Sequence, residues 1–173
     1  MSGHSKWAQI KRQKGVTDKK RGQLFSKLLK AISISAKTEP NPQFNPRLRS
    51  AIETAKAANI PNDNIQRAVS KAAEAKILEE FMVEAYGPEG VALIIEGVTD
   101  NTNRSISEIK HILSENNAKI ADPGSVLWAF ERIDNEWQPK FLQEISEDGQ
   151  RKITELIDVL ENHEDVLRIT PNF

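Results

Sequence analysis

Nine Lys or Arg residues fall between Met1 and Lys30 (Lys6, Lys11, Arg12, Lys14, Lys19, Lys20, Arg21, Lys27 and Lys30), against one acid, Asp18. Ammonium and guanidinium groups at this density do one kind of chemistry well: they pair with phosphate oxygens and release counterions. A single aromatic, Trp7, sits among them. It can stack on an exposed base or pin the segment to a neighbouring helix, and its type and position allow both. The stretch before Leu24 has too few apolar residues to offset its ordering entropy, so it reads as a flexible basic tail that meets a polyanion. The plainer alternative is a solvated tail without a partner.

Other reactive side chains form no constellation. His4, His111 and His163 are far apart, and each has a local role open to it, in the tail, on an outer helix face and near a helix end. Without cysteine there is no thiolate ligand, thiol nucleophile or disulfide framework. Asp100, Asn101, Asn103 and Arg104 are the most enzyme-like cluster, yet turn and capping chemistry at a strand-to-helix junction accounts for them. Ser125 stands in Pro-Gly-Ser-Val, which is not a nucleophile elbow. Gly87 to Gly90 lacks the spacing of a phosphate loop. The expectation is a chain with no catalytic residues, no metal, no cofactor and no small-molecule substrate.

The net charge of -1 conceals a division. Residues 1–76 carry 16 Lys and Arg against 5 Asp and Glu, net +11, and residues 77–173 carry 8 against 20, net -12. This marks two domains, a basic one (1–76) that meets nucleic acid and an acidic one (77–173) kept off it by its own field. A hydrophobic content of 38% fits ordinary globular domains. No run approaches the roughly 18 apolar residues of a membrane span. No apolar segment follows the basic start as in a secretory signal, which favours the cytoplasm.

The basic half must be helical. Leu24, Phe25, Leu28, Leu29 and Ile32 lie on one stripe behind Thr17-Asp18, a capping pair, with Lys19, Lys20, Lys27 and Lys30 around the other sides. Glu39-Pro40-Asn41-Pro42-Gln43-Phe44 cannot be helix. Asn45-Pro46 opens a second helix with Leu48, Ala51, Ile52, Ala55 and Ala58 inward, and Asn59-Ile60-Pro61 stops it. Asn62 or Asp63 caps a third, with Ile65, Ala68, Val69 and Ala72 inward. Arg47, Arg49, Lys56, Arg67 and Lys71 fall off these stripes and extend the basic surface, although each could equally be a solubilising charge. Nothing here supports base-specific readout; phosphate contact is what the residues favour.

In the acidic half, alternating Phe81, Val83 and Ala85, a turn at Gly87-Pro88-Glu89-Gly90 and the run Val91–Ile95 predict paired strands. Ser105-x-x-Glu108 reads as a capping box ahead of a helix with Ile106, Ile109, Ile112 and Leu113 inward. Val126, Trp128 and Phe130 alternate as in a strand, with Trp128 and Phe130 in a core or domain interface. Ser146 opens a last helix, and Val166–Thr170 closes as a strand. The class is α+β: a three-helix unit with a basic flexible tail, then an antiparallel-sheet sandwich with helices on one face.

Longer blocks carry a resemblance. His4-Ser5-Lys6-Trp7, Lys19-Lys20-Arg21-Gly22, Asn45-Pro46-Arg47-Leu48-Arg49 and Ala57-Ala58-Asn59-Ile60-Pro61-Asn62-Asp63-Asn64-Ile65 closely resemble the YebC/PmpR family. So do Tyr86-Gly87-Pro88-Glu89-Gly90-Val91, Thr99-Asp100-Asn101-Thr102-Asn103-Arg104 and Pro123–Phe130. The resemblance implies a cytoplasmic, nucleic-acid-associated regulator of gene expression, in the family's usual description a DNA-binding transcriptional regulator. The family also includes mitochondrial translational activators, which makes a ribosomal-RNA-associated translation factor the alternative; a protein-interaction adaptor is a further one. A protein partner on the acidic domain is also expected. Typical members carry an inserted third domain after the Trp128-Ala129-Phe130 segment; here Glu131 to Gln138 spans that gap, a shortened form.

Overall fold

A computed structural model of the chain describes residues 18–72 and 78–173. They fall into two compact units, one holding 18–72, 78–80 and 98–101, the other 81–97 and 102–173.

The first unit is three helices: α1 (Asp18–Ala36), α2 (Pro46–Ala57) and α3 (Asn62–Lys71). Ile32, Ala36, Leu48, Ala55, Ile60, Ile65, Ala68 and Ala72 form its buried core, with Phe25, Leu28, Leu29 and Val69 packed around it. Alanine at so many facing positions lets the backbones approach closely enough for the Ser33 hydroxyl on α1 to reach the Ala68 carbonyl on α3 at 3.1 Å. Leu24, predicted on the inner stripe, is instead 40% exposed, because at about 100° per residue it lies on the flank of the side set by Phe25, Leu28, Leu29 and Ile32. The end of α2 is a Schellman turn. Asn59 takes φ +61°, its N–H bonds the Lys56 carbonyl, and the Ile60 N–H bonds the Ala55 carbonyl while its side chain enters the core. For α3, neither Asn62 nor Asp63 is the cap. Pro61, in extended geometry, precedes the first turn, and its carbonyl accepts from Asn64 and Ile65.

Asn45 fixes the α1–α2 corner as the sequence predicts, and it does more than cap. Its Oδ1 accepts from Leu48 N–H at 3.0 Å, while Nδ2 donates to the Ser35 and Glu39 carbonyls at 2.8 and 2.7 Å. Asn45→Ala removes the cap and strands two carbonyls. A loss of about 2–3 kcal/mol in the helical unit is expected, read as a lower urea midpoint by far-ultraviolet circular dichroism.

The second unit carries a four-stranded sheet in the order β3-β1-β2-β6, from β1 (Glu79–Tyr86), β2 (Ala92–Thr99), β3 (Lys119–Ile120) and β6 (Val166–Pro171). Both helices, α4 (Thr102–Glu115) and α5 (Glu147–Glu161), pack on one face of it. Phe81, Val83, Ala85, Leu93 and Ile95 meet Ile109, Leu113, Ile153, Leu156, Ile157 and Leu160 there. The opposite face, Ala92 and Ile94, is covered by Val126, Ala129 and Phe130. Residues 91–95 are apolar throughout because both faces of β2 are covered.

Two expectations change here. Ser105 does not cap α4, which starts three residues earlier; its side chain is buried within the helix. The segment 126–130 is not one strand: Leu127–Ala129 is a 3-10 turn, and β4 begins at Phe130. β4 (Phe130–Ile133) pairs with β5 (Glu136–Pro139) in a hairpin closed by Asp134 and Asn135, both at positive φ, the signature of a two-residue type I′ turn. Ser146 caps α5 by accepting from Gly149 N–H at 3.0 Å. The Ser146 hydroxyl and N–H both donate to the Glu89 carboxylate, which holds its pKa below the ordinary carboxylate range.

Candidate nucleic-acid interface

Of the fifteen side chains expected to touch nucleic acid, Lys6, Trp7, Lys11, Arg12 and Lys14 lie outside the described residues. The other ten are on the three helices. At about 100° per residue, the core side of α1 is set by Phe25, Leu28, Leu29 and Ile32. Lys19, Lys20, Lys27 and Lys30 then fall within about 100° of one another on the opposite side, a single cationic stripe along about 16 Å of helix. Gln23 and Ser26 sit between them on the same side. Four ammonium groups along one ridge suit a run of phosphates; none of these side chains is a bidentate base reader such as Arg or Asn.

Arg21 stands apart. It lies toward the other side of α1, with its guanidinium 3.7 Å from the Asp18 carboxylate. On α2, Arg49 and Lys56 are seven residues apart and share one side, both exposed. Arg47 lies on the opposite side of that helix, engaged by the Glu80 carboxylate through both guanidinium nitrogens. Arg47 is therefore committed to an ion pair rather than to the shared surface, and at about half exposure that pair contributes roughly 0–1 kcal/mol. Arg67 and Lys71 are one turn apart on the exposed side of α3. The structure thus gathers the α1 lysines on one side, sets Arg49 with Lys56 and Arg67 with Lys71, and places Arg21 and Arg47 on other sides of their helices. Residues 18–72 hold eleven Lys and Arg against four Asp and Glu. Outside the expected set, Phe44 is 75% exposed just before α2.

The polar groups around the start of α4 and the end of α5 are held by hydrogen bonds and ion pairs. Asn101 N–H donates to Thr99 Oγ1 at 3.0 Å, as turn chemistry predicts. Arg104 and Ser105 both point to Asp165, at 3.0 and 2.7 Å. His163 bonds Glu108 at 2.8 Å and accepts the Asp165 N–H on its other ring nitrogen. His111 is exposed beside Glu115 at 3.3 Å. Among the described residues, no three His, Asp or Glu are arranged to hold a metal ion, and no helix is long and apolar enough to cross a membrane. Phe130 is core, as expected, but Trp128 is not. It is 59% exposed, its ring centroid 6.0 Å from that of Phe141, because the 3-10 turn rotates it away from the side that Val126 and Ala129 bury.

Comparison with known proteins matches most of the chain. Residues 5–75 fit the model described as the TACO1/YebC protein N-terminal domain, and residues 78–134 fit the one described as the TACO1/YebC second and third domain. A protein of Chlorobium luteolum named "Probable transcriptional regulatory protein" is 55% identical over 136 residues, covering 76% of this chain and 54% of its own length. A protein of the same name from Chlorobaculum parvum is 45% identical over 178 residues, covering 92% of this chain and 71% of its own. The crystal structure of a conserved hypothetical protein from Aquifex aeolicus superposes with a TM-score of 0.85 at 30% identity, covering 98% of this chain and 96% of that one. The chain spans about half the length of the first of these relatives. The described residues contain no third domain; the β4–β5 hairpin lies where the second family match ends. On the strength of two consecutive domain matches and relatives at up to 55% identity, the chain belongs to the TACO1/YebC family.

Proposed function

We propose that the protein is a non-catalytic, cytoplasmic regulator of gene expression that grips the backbone of nucleic acid through its basic N-terminal domain (1–76). The acidic domain (77–173) is held off the polyanion by its own charge and is the side presented to a protein partner. The observation that carries this reading is the stripe Lys19, Lys20, Lys27 and Lys30 opposite the core of α1. Ammonium groups set along one side of a helix can each meet a phosphate of a backbone running beside it. The relatives' name, "Probable transcriptional regulatory protein", supports transcription as the process; DNA is the target this reading assigns.

Contacts to about six to eight phosphates give a slope of roughly -5 to -7 in a plot of log affinity against log salt for duplex DNA, and a shallower one for single strands. Fluorescence anisotropy of the full chain on labelled DNA and RNA over a salt series measures both. Reversal of the four α1 lysines to glutamate is expected to reduce the slope by about 4 on duplex. A nearly flat plot for the wild-type protein on every probe rules the reading out.

A further inference from the structure

The link between α1 and α2 places an aromatic ring where neither helix can bury it, and the backbone beneath that ring is fixed. Asn41-Pro42-Gln43-Phe44 is a β-turn: the Phe44 N–H donates to the Asn41 carbonyl at 3.1 Å, and the Gln43 N–H to Asn41 Oδ1 at 2.9 Å. Asn41 N–H in turn donates to Glu39 Oε1 at 2.8 Å. Arg49 reaches back from α2 to the Pro42 carbonyl at 3.0 Å. On the other side of Phe44, buried Asn45 is tied at three points to Ser35, Glu39 and Leu48. Phe44 is thus clamped on both sides and, at 75% exposure, is the most exposed large hydrophobic residue among the described residues.

Building on the phosphate-binding reading above, we propose that Phe44 is a stacking platform for an unpaired nucleobase, so that the preferred partner is nucleic acid with bases splayed out of the helix rather than uninterrupted duplex. A phenyl face accepts any base, consistent with an α1 stripe built of lysines rather than base-edge readers. The turn has already lost its conformational freedom, so little further entropy is lost when a base settles on the ring. The same unit supplies the cations for the flanking phosphates, including Arg49 in the clamp itself. In continuous duplex each base face is covered by its neighbours, and the ring has nothing to stack on without unstacking a step. An anchor for an apolar protein pocket would use the same ring, but the excess of eleven basic over four acidic residues in 18–72 favours a polyanion.

The test compares the full-length protein with Phe44→Leu and Phe44→Tyr at one salt concentration. The probes are a single-stranded oligonucleotide carrying 2-aminopurine and an uninterrupted duplex of the same sequence. Phe44→Leu is expected to weaken single-strand binding about 5- to 100-fold, to abolish the 2-aminopurine quenching and to leave both duplex affinity and the salt slope unchanged. Phe44→Tyr keeps the aromatic face and restores both readouts. Wild-type affinity and quenching in Phe44→Leu, or an equal loss on duplex, overturns the stacking role while a steep salt slope leaves phosphate binding intact. A flat salt slope in the wild-type protein overturns phosphate binding and the stacking role with it.

Discussion

Asp165→Ala is expected to lower the unfolding free energy of the α+β unit by about 3–5 kcal/mol. Asp165 is 2% exposed, in the turn between α5 and β6. Its Oδ2 accepts the Ser105 hydroxyl at 2.7 Å and the Arg104 guanidinium at 3.0 Å, joining that turn to the first turns of α4. Ser105 is completely buried, so truncation removes an acceptor of its hydroxyl and a carboxylate facing the Arg104 guanidinium. Arg104 is 39% exposed on its side chain and can recover some hydration, which places the expected value at the lower end of the range. Asp165→Asn keeps the shape and an acceptor oxygen, so about half the loss is expected. Urea unfolding followed by tryptophan emission, with Trp128 and Trp137 reporting on this unit, measures each value. A double-mutant cycle with Ser105→Ala must give a coupling of about 1 kcal/mol or more. A change below about 1 kcal/mol for Asp165→Ala would show that water replaces the carboxylate at no cost.

Gly97→Ala is expected to be comparably damaging, at about 3 kcal/mol. Gly97 sits at the irregularity in the β2–β6 ladder, where the register shifts between Glu96 and Gly97. A Cβ there would lie 2.1 Å from the Asp165 carbonyl oxygen and 2.4 Å from the Phe81 ring edge. The ring could move. The carbonyl is backbone, in a turn whose side chain is itself tied to Arg104 and Ser105, so the strand must shift instead. Adding Phe81→Ala to Gly97→Ala should therefore give no recovery of the thermal midpoint. Rescue by that second substitution would mean that the ring, not the turn, sets the limit. The close approach at Gly97 and the buried charge at Asp165 act on one turn, and the two losses should not add.

Much of this architecture is legible in the sequence because period and punctuation agree. Apolar spacing on α1, α2 and α3, Asn45-Pro46 at a helix start and Asn59 at a helix end each follow from local chemistry. The alternation of Phe81, Val83 and Ala85 gives β1 and its inner face directly. The misses have physical causes. Alternation at Val126, Trp128 and Phe130 mimics a strand, but a 3-10 turn also brings Val126 and Ala129 to one side. Ser105 with Glu108 fits a capping box in sequence, yet Ser105's partner is Asp165, sixty residues away, which no local pattern reveals. The Asp134-Asn135 turn was readable, since two residues that tolerate positive φ separate short β-prone segments. At the interface, helical spacing locates the α1 lysine stripe. The ion pair of Arg47 depends on Glu80, thirty-three residues on. Phe44 carried a signal of its own: an aromatic in a proline-rich turn, on no helical stripe.

The β4–β5 hairpin bears on how chains of this kind are assembled. Ile133 and Glu136 are ladder partners across two exposed residues, so the chain leaves and re-enters the fold at neighbouring points. Such a tip is a natural splice point: a folded module can be grafted in or excised there while the strands on either side keep their partners. Phe130 remains anchored in the second core cluster below it, and the sheet and helices are untouched by what is joined above. Length at this hairpin tip is therefore separable from the sheet and helices of the unit that carries it.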